Sequence, residues 1–397
     1  MMQYRFLSLH IFMLFIACGE VVAQQAPPAD SAPIDRPEGF ERPQVGVQLI
    51  ETSRFIRVED ARQQYQVSGT GLTAAVLDTG LRATHVDFLG RVAAQKNFTP
   101  DNGADPENAT DGNGHGTNVG GIIVANRDHI GIAPGARIIP LKVLRNSGSG
   151  SFASMAQALQ WVIDNHNQHQ ITVVNMSLGD SGNYQDDGFG TDDMGTRIAS
   201  LRALRIPVVI SAGNDFHRHM SREGMGYPGI FRASISVGAV YDADEGPFSY
   251  ASGATANSTG PGRFTPFSQR LHESTNAATR TDIFAPGAPV TSSGHLSDNG
   301  ESIQHGTSQA APVVAGVILL MQEFYQRQTG VLPEVDSLEQ WLRQGGVPIN
   351  DGDDEDDNVT NTGKSFVRLD ALGSLEAAHR SMRKDLLMNR ANAASLK

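Results

Sequence analysis

The sequence predicts an α/β protein of three layers, with helices on both faces of a mainly parallel central sheet. Two observations carry this prediction. Short apolar runs, around Val76 and at residues 138–143, 173–175, 208–210 and 235–237, alternate with longer stretches of helical period, which is the pattern of βαβ units. The residues with chemistry to offer stand at the carboxyl ends of those runs or at the starts of apolar helices, where open α/β sheets hold ligands.

Taken in order, residues 72–77 (LTAAVL) read as a buried strand, with Asp78 at its carboxyl end before the turn pair Thr79-Gly80. In DGNGHGTNVGGIIVA, His115 is bracketed by Gly114 and Gly116 and opens an apolar helix of small residues. Residues 138–143 form the next strand. In SFASMAQALQWVIDNH, the residues Phe152, Met155, Leu159, Val162, Ile163 and His166 recur at helical spacing, so His166 reads as a helix-end residue and not a catalyst. The strand at 206–211 ends just before Asn214. Residues 242–262, rich in Gly, Ser and Ala, read as a surface loop. In HGTSQAAPVVAG (305–316), Gly306 permits a sharp turn, Ser308 sits at the mouth of a helix, and Pro312 falls early enough for its missing N–H to cost nothing. No internal repeat is visible, and the basic tail at 379–397 reads either as a peripheral helix or as a segment without fixed structure.

Each of these residues has a plain reading: Ser308 as a helix cap, Asp78 and Asn214 as turn formers, His115 as a loop residue. Together they say more. A serine hydroxyl is a poor nucleophile without a base to take its proton and a carboxylate to orient that base. The order Asp, His, Ser is the one subtilisin uses for this constellation. Five segments extend the match: AAVLDTG at 74–80, HGTNVGG at 115–121, NMSLG at 175–179, SAGN at 211–214 and HGTSQAAPVVAG at 305–316. GIAPGARIIPLKVL, YPG, SISVGAV and DIFAPG fall between them in the same order. On these residues the chain resembles the subtilisin-like serine peptidases over residues 44–378.

The resemblance implies a subtilisin-like fold and an exported endopeptidase acting through an acyl-enzyme. It gives Asp78 the orienting role, His115 that of general base and then acid, Ser308 that of nucleophile, and Asn214 that of oxyanion-hole donor beside the Ser308 N–H. Ser177, Leu178 and Gly179 correspond to the strand that pairs with an extended substrate. Gly226 corresponds to the floor of the pocket for the residue before the cleaved bond, and a glycine there leaves room for a large apolar side chain. Asp215, at the pocket rim, is expected to admit Lys or Arg by charge pairing. The chemistry requires no cofactor.

Several positions depart from the family pattern. Gln309 stands where Met is usual, Asn118 where His often recurs, and Asp180 where a glycine follows the substrate strand. The run SGNYQDDGFGTDDMG that follows is long and acidic, and reads as a solvated loop or as a rim attracting basic substrates or a cation. Residues 125–133 are shorter than the loop that binds calcium in many relatives. A structural calcium is expected instead, if anywhere, in NDGDDEDDNVTNTG at 350–363, with Asp351, Asp353, Asp354, Asp356 and Asp357 as oxygen ligands, although the spacing is not that of an EF-hand.

Composition sets the remaining bounds. The net charge of −12 over 397 residues argues against a nucleic-acid partner, which needs basic surface. Arg5 precedes twelve mostly apolar residues, FLSLHIFMLFIA, too few for a stable membrane span but right for a signal peptide. Residues 1–23 are accordingly expected to be removed after Ala23. Lipid attachment at Cys18, the only cysteine, is the alternative, and neither route permits an internal disulfide. Residues 24–43 form a Pro-rich linker, and the interval before residue 72 leaves no room for a folded propeptide, so the domain is expected to fold without one. A monomer acting on polypeptides is the expected form. An esterase of the α/β-hydrolase type would need the order Ser, Asp, His and a Gly-x-Ser-x-Gly elbow, and a non-catalytic protein would not need all four catalytic positions filled.

Overall fold

Nine strands form one sheet in the computed structural model, which describes residues 49–189 and 192–395. Two short helices, α1 (Ile50–Phe55) and α2 (Val58–Tyr65), lead into β1 (Thr73–Asp78). There follow β2 (Lys96–Asn97), α3 (His115–Val124), β3 (Arg137–Lys142), α4 (Phe152–His169), β4 (Ile171–Met176), α5 (Asp193–Ala203), β5 (Val208–Ser211) and β6 (Ile235–Tyr241). The hairpin pair β7 (Phe248–Ser249) and β8 (Thr255–Ala256) precedes β9 (Ile283–Ala288), and a second hairpin, β10 (Val290–Ser293) and β11 (Glu301–Gln304), leads into α6 (Thr307–Thr329). The chain closes with α7 (Val335–Gly345), β12 (Val347–Asn350), β13 (Ser365–Arg368) and α8 (Ala371–Ser395).

The strand order is β12-β13-β9-β6-β5-β4-β1-β3-β2, parallel throughout except for the β12–β13 pair at one edge. Alternation along each strand divides two cores. Val76, Ile138, Val173 and Val209 face the helices α3 and α6, whereas Leu77, Ile139, Val174 and Ile210 face Met155, Leu159 and Val162 of α4 and Ile198 and Leu201 of α5. Strands buried on both faces carry near-continuous apolar sequence for this reason, and the three-layer expectation holds. Helix α6 is buried at every position from Thr307 to Gln322, so the helix that begins beside Ser308 is also the centre of the larger core.

Three readings need correction. The segment 242–262 is not simply surface: it buries Phe248, Tyr250 and Ala254, and Asp242 accepts from Thr52 Oγ1 of α1 at 2.6 Å. The boundary after residue 378 falls inside α8. Pro312 lies in the second turn of α6, not the first, so its missing N–H does leave a carbonyl unserved, that of Ser308. The expected signal peptide, Cys18 and the linker lie outside the described residues.

Candidate active site

The site is assembled at the carboxyl ends of β1, β4 and β5. Asp78 closes β1 and His115 opens α3, and both are buried. Asp78 Oδ1 accepts from the Thr79 amide at 2.6 Å and from His115 Nδ1 at 2.8 Å. The ring is thereby fixed with Nε2 turned away from the carboxylate, and Nε2 has no hydrogen-bond partner among the described residues. Gly114 precedes it at φ 104°, and a side chain there would strike the His295 ring at 2.3 Å, so only glycine serves.

Sequence reasoning missed the residue that secures this helix start. Asp111 accepts from the amides of Asn113, Gly114 and Thr117, each at 2.9 Å, and from the hydroxyls of Thr79 and Thr117. Burial would raise its pKa, but these donors outweigh burial and hold the carboxyl below its ordinary value. An Asp a few residues ahead of an apolar helix was the available signal. Lys142, fully buried beneath the same turn, gives its Nζ to the carbonyls of Thr79 at 2.5 Å and Leu144 at 3.1 Å. Burial pulls its pKa down, against the carboxylates of Asp111, Asp101 and Asp78.

Ser308 is the second residue of α6. Its Oγ donates to the Ser177 carbonyl at 3.3 Å, and Ser177 Oγ donates to the Ser308 carbonyl at 2.6 Å. The latter is the carbonyl that Pro312 cannot serve, so Ser177 supplies the donor the helix lacks. Asn214 follows β5. Its Oδ1 accepts from Thr307 N and Thr307 Oγ1, both at 2.9 Å, which turns Nδ2 outward. A Cβ on Gly306 would lie 3.3 Å from Asn214 Nδ2 and 3.4 Å from Ser308 N. The two N–H groups, with Gln309 Oε1 3.0 Å from the same point, border the space that the glycine leaves open. Thr307, which orients the amide, was not singled out from sequence.

Gly226 joins the two backbone walls beside Ser308. Its N donates to the Ala212 carbonyl at 2.8 Å, and the next carbonyl, of Tyr227, accepts from Asp180 N at 2.9 Å. Leu178, Gly179 and Asp180 line one wall, residues 212–214 the other. Asp215 does not offer a free charge: it is nearly buried and Arg218 Nη1 holds its Oδ1 at 2.9 Å. The loop after Asp180 is less solvated than expected. It buries Phe189 against Tyr184, Tyr227 and Phe231, and Asp192 caps α5 while accepting from Tyr227 Oη.

The carboxylates expected to form a calcium site do not converge. Asp351 is buried against Arg270 at 3.0 Å, Asp356 accepts from Asn257 and Ser258, and Asp357 accepts from Val359 N. Only Asp353 and Asp354, with Glu355, bring ligand atoms within 4.8 Å of one another among the described residues. At the shortened segment 125–133, the facing carboxylate is Asp87, which His129 holds through its backbone N at 3.0 Å and Nδ1 at 2.7 Å, and Ser293 through Oγ at 2.6 Å.

A carboxylate holding an imidazole at one helix start, and a serine at the start of another, both on the carboxyl side of a parallel sheet, mark the class of serine hydrolases. The match to the Subtilase family model extends over residues 69–344. An intracellular serine protease of Paenibacillus polymyxa is 30% identical over 264 residues, 65% of this chain and 68% of that protein. An extracellular serine proteinase of Thermus sp. (strain Rt41A) is 31% identical over 271 residues, 68% of this chain and 55% of its own length. The major intracellular serine protease of Bacillus subtilis is 29% identical over 289 residues, covering 70% and 77%. The chain belongs to the subtilase family and is a serine endopeptidase, a hydrolase of polypeptides.

Proposed function

We propose that Asp78, His115 and Ser308 form the catalytic triad of this endopeptidase and that Asn214 Nδ2 and the Ser308 N–H form its oxyanion hole. The observation that carries the reading is the 2.8 Å bond from His115 Nδ1 to Asp78, which leaves Nε2 open to take a proton. Ser308 Oγ turns from the Ser177 carbonyl to His115, loses its proton to Nε2, and attacks the scissile carbonyl carbon. The oxyanion is met by the two donors around Gly306. His115 then gives the proton to the leaving amine as the C–N bond breaks. Water, activated by the same imidazole, hydrolyses the acyl ester.

Ser177, Leu178 and Gly179 pair with an extended substrate, and the pocket closed by Gly226 takes a large side chain, an apolar one on the family resemblance. The enzyme is exported by a signal peptide cleaved after Ala23 and acts as a soluble monomer, with a lipid anchor at Cys18 as the alternative. Relatives carry both extracellular and intracellular names, and among the described residues no helix is long and apolar enough to cross a membrane. A structural calcium, which the chemistry does not use, is proposed in the acidic run 350–363, where of the five expected ligands Asp353 and Asp354 lie close together beside Glu355. The test of the triad is labelling by a small fluorophosphonate. Wild-type protein should be modified at Ser308 and Ser308→Ala should not react; an unlabelled wild type, or a Ser308→Ala variant with full activity, rejects the assignment.

A further inference from the structure

Between the segment 178–180 and the segment 212–214, Gly226 borders oxygen acceptors, not apolar side chains: a Cβ there would find Asp180 O at 3.4 Å, Asp180 Oδ1 at 3.5 Å and Ala212 O at 3.6 Å. These are ordinary van der Waals contacts, so the glycine leaves the Asp180 carboxylate uncovered. Asp180 is only 7% exposed, and among the described residues no Lys, Arg or His lies within 4.0 Å of it. Its hydrogen bonds all come from neutral donors: Tyr227 N and Gly182 N to Oδ1, and Tyr184 Oη to Oδ2, each at 2.9 Å. The other acidic residues nearby are committed, Asp215 to Arg218, Asp187 to Arg232 and Asp192 to the start of α5.

A second acceptor lies close by. Gln269 is fully buried, and its Nε2 is spent on the Gly182 carbonyl at 2.9 Å and Asn183 Oδ1 at 2.8 Å. Its Oε1 has no partner among the described residues and would meet a Cβ on Gly213 at 2.0 Å, a position itself 3.4 Å from Gly226 N. Two glycines thus border a buried carboxylate held only by neutral donors and a buried amide oxygen that has no donor among the described residues. A buried acceptor left without a donor, as Gln269 Oε1 is, is costly until one arrives, and a buried carboxylate with no cationic partner calls for a cation.

We infer that Asp180, assisted by Gln269 Oε1, selects Lys or Arg as the residue before the cleaved bond. The inference rests on the peptidase reading above. The apolar side chain of Leu178 suits the methylene stem, and the charged head reaches the carboxylate past Gly226. Burial holds the Asp180 pKa above its ordinary value, the hydrogen bonds from Tyr227, Gly182 and Tyr184 opposing it. An incoming cation opposes it further, so substrate and ionised carboxylate favour each other.

The test uses matched fluorogenic peptides that differ only in Lys or Phe before the bond. Asp180→Asn keeps every hydrogen bond, since its amide oxygen accepts from the two backbone N–H groups and its NH2 faces Tyr184 Oη, while the charge is lost. The wild type should favour Lys, and the ratio of kcat/KM for Lys over Phe should fall about 100-fold in Asp180→Asn. Gly226→Ala, which interposes a methyl group before the carboxylate, should lower the same ratio. If Ser308 labels but the wild type favours Phe, or neither variant moves the ratio, the Asp180 assignment fails while the peptidase reading stands. A wild type that neither labels nor cleaves either peptide overturns both.

Discussion

Gln309 Nε2 donates to Asn118 Oδ1 at 3.3 Å, joining α6 to α3 one residue beyond Ser308 and three beyond His115. Both residues are fully buried, and both stand where the family pattern has another side chain. They are one departure, not two. Asn118 Nδ2 continues the bond to the Ser302 carbonyl at 2.9 Å, so the amide pair sets the spacing of the helices that carry base and nucleophile. Gln309→Met alone should lower stability by about 1–2 kcal/mol, because it leaves a buried acceptor without its donor. A double-mutant cycle with Asn118→His, read by urea unfolding, should show a coupling of about 1 kcal/mol; additive single effects would mean the bond contributes nothing.

Ser177 is best understood through Pro312. Ser177→Ala removes the only side-chain donor to the Ser308 carbonyl seen among the described residues, and also an acceptor for Asn175 Nδ2 at 3.0 Å. Turnover should fall about tenfold, equivalent to about 1.4 kcal/mol in the barrier, with KM changed less than kcat. Pro312→Ala, which gives position 312 a helical N–H, should recover part of the loss in the double variant. No recovery would show that Ser177 acts by another route.

The buried group around Asp87 makes a pH prediction. Burial raises its pKa, yet bonds from His129 and Ser293 more than compensate and bring it to about 2 from an ordinary 3.8. A depressed carboxylate stabilises the fold above its unfolded value and loses that contribution as pH falls through the folded one. The contribution, about 2 kcal/mol at neutral pH, should therefore be complete above pH 4 and vanish between about pH 4 and 2. His85 Nδ1 at 3.4 Å also faces Asp87, and Glu301 faces the far side of His129 at 3.5 Å. His129→Leu should move the acid-unfolding midpoint, followed by circular dichroism, to higher pH. An unmoved midpoint would reject the clip.

Asp351 tests what the acidic run does. Its partner Arg270 is fully buried, stacked 3.8 Å from the Phe216 ring centre, and paired with Asp351 at 3.0 Å. Asp351→Ala should cost about 3–5 kcal/mol by stranding the guanidinium, and thermal unfolding will measure it. A loss below 1 kcal/mol would place the loop's contribution elsewhere.

What the sequence made legible follows from where each signal is stored. Asp78, His115, Asn214 and Ser308 each sit in a short segment whose glycines and apolar neighbours dictate the local turn, so those segments can be read singly. Asp351 and Arg270, or Gln309 and Asn118, are partners across long stretches of chain, and neither residue announces the other. The edge strand β12 and its neighbour β13, VPIN and SFVR, carry a proline or polar residues because they are half exposed, which hides them from a search for buried runs. Asp215 is the exception. Its partner Arg218 lies three residues on, a spacing open to inspection that its supposed role at the pocket rim concealed.

The burial of α6 from Thr307 to Gln322 ties the fate of Ser308 to that of the whole molecule. A nucleophile on a surface loop can be lost to local fraying while the rest of the enzyme persists. Here the serine begins a helix buried without a break from Thr307 to Gln322, so heat or denaturant should abolish activity in step with global unfolding, and a population of folded but catalytically slack molecules should not accumulate.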